Sequence, residues 1–268
     1  IVGLGGLSVV GHPQPQVNDL VSWAVDRGLN YVDVAPTYKN AEELLGPALE
    51  PHRDRCFLAC KTHQRGAQQA REELEQSLQT LRTDHFDLYQ LHALTTAEDV
   101  EKVFAPGGAM ETFTAARDEG KVRFIGFSAH SEDAACMAVD RFDFDSVLFP
   151  QNVVCHQQGH FGPRVLQKAQ EKNVARLALK AMAWTQVPEG EDRPYPNCWY
   201  QPADTPELAD LALRYTLGLP ITAAVPPGDS TLFRMAMEIA LNYQPLTDAE
   251  KKDIIQRTDG VQPIFEAS

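Results

Sequence analysis

The chain has 268 residues, of which 43% are hydrophobic, and a formal net charge of -13 at pH 7. This length fits one large domain or two small ones, and the apolar content is sufficient for a sizeable core. The negative charge argues against a general nucleic-acid-binding surface and against a surface for anionic membranes. It still allows a small basic pocket for a phosphorylated cofactor.

Five cysteines are scattered along the chain without a CxxC spacing. They argue against a disulfide framework or a structural zinc site and favour a reducing compartment, so we expect a cytoplasmic protein. The sequence has no apolar run of the ~20 residues that a membrane helix needs, and no signal-peptide pattern. Because it begins with IVGLGG and not with Met, we expect a short native N-terminal segment to precede it; an export signal there stays open.

The first half of the chain alternates short apolar runs with amphipathic segments. In chain order we predict a strand over 1–5, a helix over 16–28, a strand over 29–34, a helix over 40–49, a strand over 55–61, a helix over 67–82 and a strand over 85–91. The helix over 67–82 has leucines on one face and charges on the other. Gly28 is expected to end the first helix.

The second half continues the alternation with one interruption. We predict a helix over 108–119, a strand over 121–128, a helix over 131–140, a strand over 144–151, a helix over 161–172 and a strand over 173–180. The polar, proline-rich segment 185–206 is predicted to be a long loop. A helix over 206–217, a strand over 219–225 and helices over 229–242 and 247–257 complete the chain.

Eight strand and helix units in this length predict a (β/α)₈ barrel, formed by residues 1–268 as a single domain. The nearly continuous apolar strands are typical of a parallel sheet that helices cover. A doubly wound open sheet is the alternative, but it would be favoured by a GxGxxG pattern leading into a helix, and the chain has only GLGG.

Four residues at or just after predicted strand ends have the chemistry to deliver a proton to a carbonyl oxygen: Asp33, Tyr38, Lys61 and His92. A tyrosine is a weak acid at neutral pH, and a nearby lysine lowers its pKa. A carboxylate would hold the lysine in place, and a histidine would orient the carbonyl. Each residue alone has an ordinary structural explanation, and the prediction depends on the four occurring together at ordered strand ends.

The strings NYVDVAPTYKNAEELLG, LACKTH, DLYQLHAL and GKVRFIGFSAHS resemble the aldo-keto reductase superfamily. The resemblance implies a (β/α)₈ barrel that binds a nicotinamide dinucleotide, usually NADP(H), at its C-terminal face. It also implies that Tyr38 is the general acid, that Lys61 and Asp33 tune it, and that His92 orients the carbonyl. The resemblance is specific over 29–49, 55–62, 85–92 and 121–131, and weak after about residue 150.

For the nicotinamide end of the cofactor, the resemblance points to Ser128, followed by Ala129 and His130 where the family commonly has Asn. His130 is predicted either to substitute for that Asn or to cap a helix. Gln151 and Asn152 are amides that could pair with the nicotinamide carboxamide. After strand seven, Lys180 is placed with the cofactor residues, and Trp184 is predicted either to line the substrate pocket or to pack under the long loop.

For the phosphate end, the predicted helix that follows VPPGDS suits an anion. Gly228 and Ser230 are placed there, with Ser230 also interpreted as a helix cap, and Arg234 is the cation nearby. The resemblance favours NADP(H), because the family usually binds it, whereas Asp229 near the ribose would favour NAD(H).

The leading prediction is therefore an enzyme that interconverts a carbonyl compound and an alcohol with NAD(P)H. The partner is expected to be a small-molecule carbonyl or alcohol, with neither nucleic acid nor membrane, and the oligomeric state is open. A cofactor-binding redox-sensing module with little turnover is the alternative. A metal-assisted barrel enzyme is disfavoured because no metal-ligand spacing is evident.

Overall fold

The computed structural model describes residues 1–267; Ser268, the last residue of the predicted domain, lies outside them. Strands and helices alternate through this part of the chain. The strands are β1 (Leu4–Gly5), β2 (Tyr31–Asp33), β3 (Phe57–Thr62), β4 (Phe86–Leu94), β5 (Val122–Ala129), β6 (Ser146–Pro150), β7 (Ala175–Leu179), β8 (Ala183–Gln186), β9 (Tyr200–Pro202) and β10 (Ala223–Val225). Strands β1 to β7 and β10 form one sheet in that order, and all of their pairings are parallel.

The helices follow the strands and cover the sheet. They are α1 (Gln14–Val25), α2 (Ala41–Leu49), α3 (Ala67–Thr80), α4 (Ala97–Phe104), α5 (Ala109–Asp118), α6 (Glu132–Arg141), α7 (Val153–Gln157), α8 (Pro163–Glu171), α9 (Pro206–Leu217), α10 (Ser230–Leu241) and α11 (Asp248–Arg257). Several begin at side-chain caps; Thr247, for example, forms a capping box with Glu250 at the start of α11. Among residues 1–267, no helix is both long and apolar enough to span a membrane.

The first and last strands of the sheet meet. Val2 forms a parallel bridge with Ala224. The N–H of Gly3 donates to the carbonyl of Ala224, and the N–H of Ala224 donates to the carbonyl of Ile1, each at 2.9 Å. The sheet therefore closes into the predicted (β/α)₈ barrel, and the open doubly wound sheet is wrong.

Alternate residues of each strand point into the barrel, because side chains on a strand alternate between its two faces. The lower layers of the interior are apolar, and their members are Tyr31, Ala59, Leu88, Leu148, Leu177, Ala223 and Val225. Two positions further along the same strands stand Asp33, Lys61 and Gln90, which are all buried. The polar layer at the carboxyl ends of β2 to β4 is thus a direct consequence of strand period and register.

The structure differs from the prediction in its short elements. Helix α4, whose eight residues bury Val100 and Val103, was not predicted. The predicted loop 185–206 begins in β8 and contains β9. These two strands pair antiparallel, and Ala183 lies opposite Pro202. Helix α7 was also not predicted, and β1 begins three residues later than expected.

Candidate active site

Asp33, Tyr38, Lys61 and His92 meet at the carboxyl ends of β2, β3 and β4. Asp33 is the last residue of β2. Tyr38 lies in the following loop, where its N–H donates to the carbonyl of Ala35 at 2.9 Å. The Lys61 Nζ donates to Asp33 and, at 3.2 Å, to the Tyr38 hydroxyl. The rings of His92 and Tyr38 meet edge to face, with centroids 5.7 Å apart.

The Asp33–Lys61 ion pair is buried, with exposed side-chain fractions of 1% and 0%. The second carboxylate oxygen of Asp33 accepts hydrogen bonds from Gln90 Nε2 at 3.1 Å and from the Tyr31 hydroxyl at 3.3 Å. Lys61 also donates to the carbonyl of Val34 at 3.3 Å. A buried ion pair is retained at low cost only when additional hydrogen bonds satisfy both partners, and this one meets that condition.

The charges of this pair act on Tyr38 in opposition to burial. Burial by itself would lower the pKa of Lys61, but the adjacent Asp33 carboxylate reverses this and holds the pKa above its ordinary value, so the ammonium stays charged. Burial raises the pKa of Tyr38, and the charge of Lys61 offsets part of that rise. The sequence indicated the contribution of Lys61 but not the larger effect of burial.

His92 is only 8% exposed, and its Nδ1 has no hydrogen-bond partner among residues 1–267. Burial, followed by the positive charge of Lys61, holds its pKa far below the ordinary value, so the imidazole is neutral near pH 7. The ring of His63 lies against it, with centroids 4.0 Å apart. His92 lines the cavity described below, where a neutral imidazole can hydrogen-bond a ligand atom.

The backbone at the end of β4 is fixed by side chains from neighbouring strands and loops. Arg65 Nη2 donates to the carbonyls of His92 and Ala93 at 3.0 and 3.1 Å, and its Nε is paired with Asp99 at 3.3 Å. The hydroxyl of Ser128 accepts from the N–H of Ala93 at 2.8 Å. Ser128, predicted to bind the cofactor, therefore supports the strand end that carries His92.

A cavity of about 180 Å³ opens above these residues. Asp33, Tyr38 and His92 line one side of it. The other walls come from the loops after β1, β5, β7 and β10 and from the start of β9 with the segment before it, and include Gly6, His130, Lys180, Trp199, Tyr200 and Gly228. Trp199 and Tyr200 belong to the segment 185–206, which was predicted to be a long loop.

His130 and Lys180 meet in this cavity. The Lys180 Nζ lies 3.3 Å from the His130 Nε2. The His130 ring stacks on Phe265 at 5.1 Å between centroids. Burial, followed by the charge of Lys180, lowers the pKa of His130 to about 3, and burial lowers the pKa of Lys180 to about 8.

Gln151 and Asn152 are bonded within the protein. The fully buried Gln151 donates through Nε2 to the carbonyls of Pro150 and Phe161, at 3.0 and 3.1 Å. Asn152 caps α7 by accepting from the N–H of Cys155 at 2.9 Å. The structure therefore does not bring these two predicted cofactor amides to the cavity wall.

The start of α10 lies between the first cavity and a second one of about 260 Å³. Gly228 lines the first, and Ser230 and Arg234 line the second. Asp229 is the helix cap, accepting from the N–H groups two and three residues further on at 2.8 and 3.1 Å, so the cap is not Ser230. The guanidinium of Arg234 lies 4.4 Å from the ring centroid of Trp23.

A family model described as the Aldo/keto reductase family matches residues 1–255 of the chain. The chain belongs to this family. Its curated relatives include the oxidoreductase YqkF of Bacillus subtilis (strain 168), which is 25% identical over 298 aligned positions that cover 99% of this chain and 94% of YqkF. The aldo-keto reductase YhdN of the same organism is 33% identical over 142 residues, 48% of this chain and 41% of YhdN.

Solved structures of aldo-keto reductases have the same fold. The holo form of AKR11C1 from Bacillus halodurans superposes with a TM-score of 0.74 at 22% identity, covering 96% of this chain and 91% of its own. An aldo/keto reductase from Klebsiella pneumoniae, in complex with NADP and acetate, gives 0.72 at 19% identity, covering 100% and 95%. These likenesses agree with the closed barrel.

Trp184 of this aldo/keto reductase packs away from the cavity. It lies on β8 against an apolar cluster that includes Val153 and Leu211, between the hairpin and the outer helices. Of the two interpretations that its sequence position left open, packing beneath the segment 185–206 is the one observed.

Two residues at the site were not predicted. His63 follows Lys61 by two positions, and the period of a strand could have placed it on the same inward side. Asn197 donates to the carbonyls of Leu7 and Val10, both at 3.2 Å, and ties the long segment to the loop after β1. No local pattern marks Asn197, because its partners lie almost 190 residues away.

Proposed function

We propose that this aldo/keto reductase interconverts an aldehyde or ketone and the corresponding alcohol, with NADP(H) as the hydride carrier. The observation that supports the proposal best is the buried chain of contacts from Asp33 through Lys61 to the Tyr38 hydroxyl. It places a phenolic proton at the cavity wall beside a fixed positive charge.

In the reducing direction, Tyr38 donates its hydroxyl proton to the carbonyl oxygen while the carbonyl carbon receives hydride. The phenolate that this leaves is stabilised by the ammonium of Lys61, 3.2 Å away, and regains a proton from solvent. Asp33 keeps Lys61 charged and in position. These arrangements supply general acid catalysis with a tuned group.

His92 would orient the carbonyl oxygen toward Tyr38. Its ring is neutral and edge-on to the Tyr38 ring, and Arg65 fixes its backbone. A neutral imidazole donates one hydrogen bond without competing with Tyr38 as a charged acid. His92 therefore acts by position, and Tyr38 by proton transfer.

An extended dinucleotide would span the two cavities across the start of α10. Gly228 and Ser230, two residues apart at the start of α10, line the first and the second cavity respectively. When bound, the nicotinamide cofactor supplies or accepts the hydride. In the second cavity Arg234 and Ser230 offer a cation and a hydroxyl that suit the 2′-phosphate of NADP(H), and Asp229 is occupied as a helix cap. NAD(H) remains the alternative that the cofactor titration below distinguishes.

The test is a fluorescence titration with NADPH and with NADH, followed by single-turnover mixing with 4-nitrobenzaldehyde. We expect tight NADPH binding and rapid loss of the reduced-nicotinamide absorbance. Absence of binding would refute the proposal. Binding with negligible oxidation would favour the alternative of a cofactor-binding regulatory module.

A further inference from the structure

Lys180 is a buried cation with no acidic partner. Its side chain lines the active-site cavity, yet the residue is only 9% exposed. Among residues 1–267 it forms no ion pair with a carboxylate, and the one hydrogen-bond partner of its ammonium is the ring nitrogen of His130 at 3.3 Å. Lysine is almost never this buried unless it is paired.

The surroundings of Lys180 compensate its charge only in part. The ammonium lies 5.8 and 5.4 Å from the ring centroids of Trp199 and Phe265, at distances of cation–π contact. His130 accepts a hydrogen bond but is neutral, because burial and Lys180 hold its pKa at about 3. A buried charge without a counter-ion is costly, so the geometry leaves room for an anion in the cavity.

The backbone of Lys180 adopts an unfavourable conformation at the turn that positions its ammonium. Lys180 has a φ of 57°, in the left-handed region that few residues other than glycine adopt. The side chain of Asn152 donates to the carbonyl of Lys180 at 3.3 Å. The turn after β7 therefore presents one ammonium to the same cavity that Tyr38 and His92 line.

We propose that Lys180 binds an anionic group of the substrate, so that the preferred substrates are aldehydes or ketones that carry a carboxylate. The inference rests on the proposed function, since it assigns the substrate class of that same site. A single ammonium matches the single charge of a carboxylate. A neutral carbonyl compound would leave Lys180 without a counter-ion.

The experiment compares 4-oxobutanoate with butanal, an aldehyde of equal chain length without the carboxylate. In the wild-type protein we expect a higher kcat/KM for 4-oxobutanoate. Lys180→Gln should lower the ratio of the two kcat/KM values by about 10- to 100-fold, the range for a lost hydrogen bond to a charged group. The exposed Lys252 on α11 provides the control, because Lys252→Gln should leave the ratio unchanged.

A binding measurement tests the site apart from turnover. Calorimetry should show that butanoate binds the wild-type protein and binds Lys180→Gln at least 10-fold more weakly. In the wild type its affinity should fall as pH rises through about 8, where Lys180 loses its charge. The ionisable groups that face Lys180 are His130, His92, Cys155, Cys198 and Lys61, and their pKa values lie far from 8 or are shifted away from it.

The outcomes separate this inference from the proposed function. Reduction of butanal without a preference for 4-oxobutanoate, or equal losses with both substrates in Lys180→Gln, would overturn the anion site and leave the reductase proposal intact. A loss of NADPH affinity with an unchanged ratio would assign Lys180 to the cofactor and also overturn it. Without turnover of either aldehyde, butanoate binding decides alone: Lys180-dependent binding supports the anion site, and its absence refutes it.

Discussion

The buried pair of Asp33 and Lys61 gives the sharpest prediction on stability. Lys61→Met would leave the Asp33 carboxylate, which is 1% exposed, without its cation. The hydrogen bonds from Gln90 and Tyr31 would remain. Removing one partner of a buried pair typically lowers the free energy of unfolding by about 3 to 5 kcal/mol. Asp33→Asn should cost a similar amount, because it leaves the ammonium of Lys61 buried without a counter-charge.

The double variant measures the coupling energy between Asp33 and Lys61. Asp33→Asn with Lys61→Met removes both charges, so we expect it to lose at least 2 kcal/mol less than the sum of the single losses. Urea unfolding followed by tryptophan fluorescence would measure this. Each single variant should shift the midpoint by about 1 to 2 M, given slopes near 3 kcal/mol/M.

An exposed ion pair provides the matched control. Glu98 and Lys102 form a pair at 2.8 Å on the surface of α4, and the same charge removals there should show no measurable coupling. If the losses for Asp33 and Lys61 were additive within about 0.5 kcal/mol, the pair would not be electrostatically coupled, and its assigned effect on Tyr38 would lose its basis.

Three further predictions concern other parts of the site. Gly162→Ala should lower the free energy of unfolding by about 2 kcal/mol or more in urea unfolding, because φ is 107° and a Cβ would lie 1.6 Å from Gln151 Nε2; an unchanged midpoint would contradict this. Because burial and Lys61 depress the pKa of His92, the kcat/KM for a neutral aldehyde should show no histidine inflection between pH 5 and 8; an inflection that disappears in His92→Gln would contradict it. Arg234→Ala should weaken NADPH binding about 10-fold and NADH binding much less, as measured by fluorescence titration; equal losses would refute a 2′-phosphate contact.

The polar layer of the barrel could be predicted from the sequence because it follows from local rules. Strand period places Asp33 and Lys61 on the inward face, and strand ends place them at the carboxyl face of the barrel. The same rules do not predict the direction of a side chain that has more than one available partner. Gln151 sits at a predicted strand end, but whether its amide faces the cavity or Phe161 depends on a loop ten residues away.

The cluster around Lys180 could not be predicted, because its members come from distant segments. His130, Trp199 and Phe265 reach it from β5, from the segment before β9 and from the C-terminal end of the described residues. No periodic pattern links residues that are 19 to 85 positions from Lys180 in the sequence (199 − 180 and 265 − 180). The family resemblance also weakens in this half of the chain.

The central claim is that Tyr38 transfers the proton, and Tyr38→Phe tests it most directly. The change removes the hydroxyl that Lys61 contacts at 3.2 Å and keeps the ring. We predict that kcat/KM falls by about 10²- to 10⁴-fold while the NADPH dissociation constant stays within about threefold, and that Tyr243→Phe, at a half-buried position beyond α10, changes neither. Turnover in Tyr38→Phe close to that of the wild type would contradict the account.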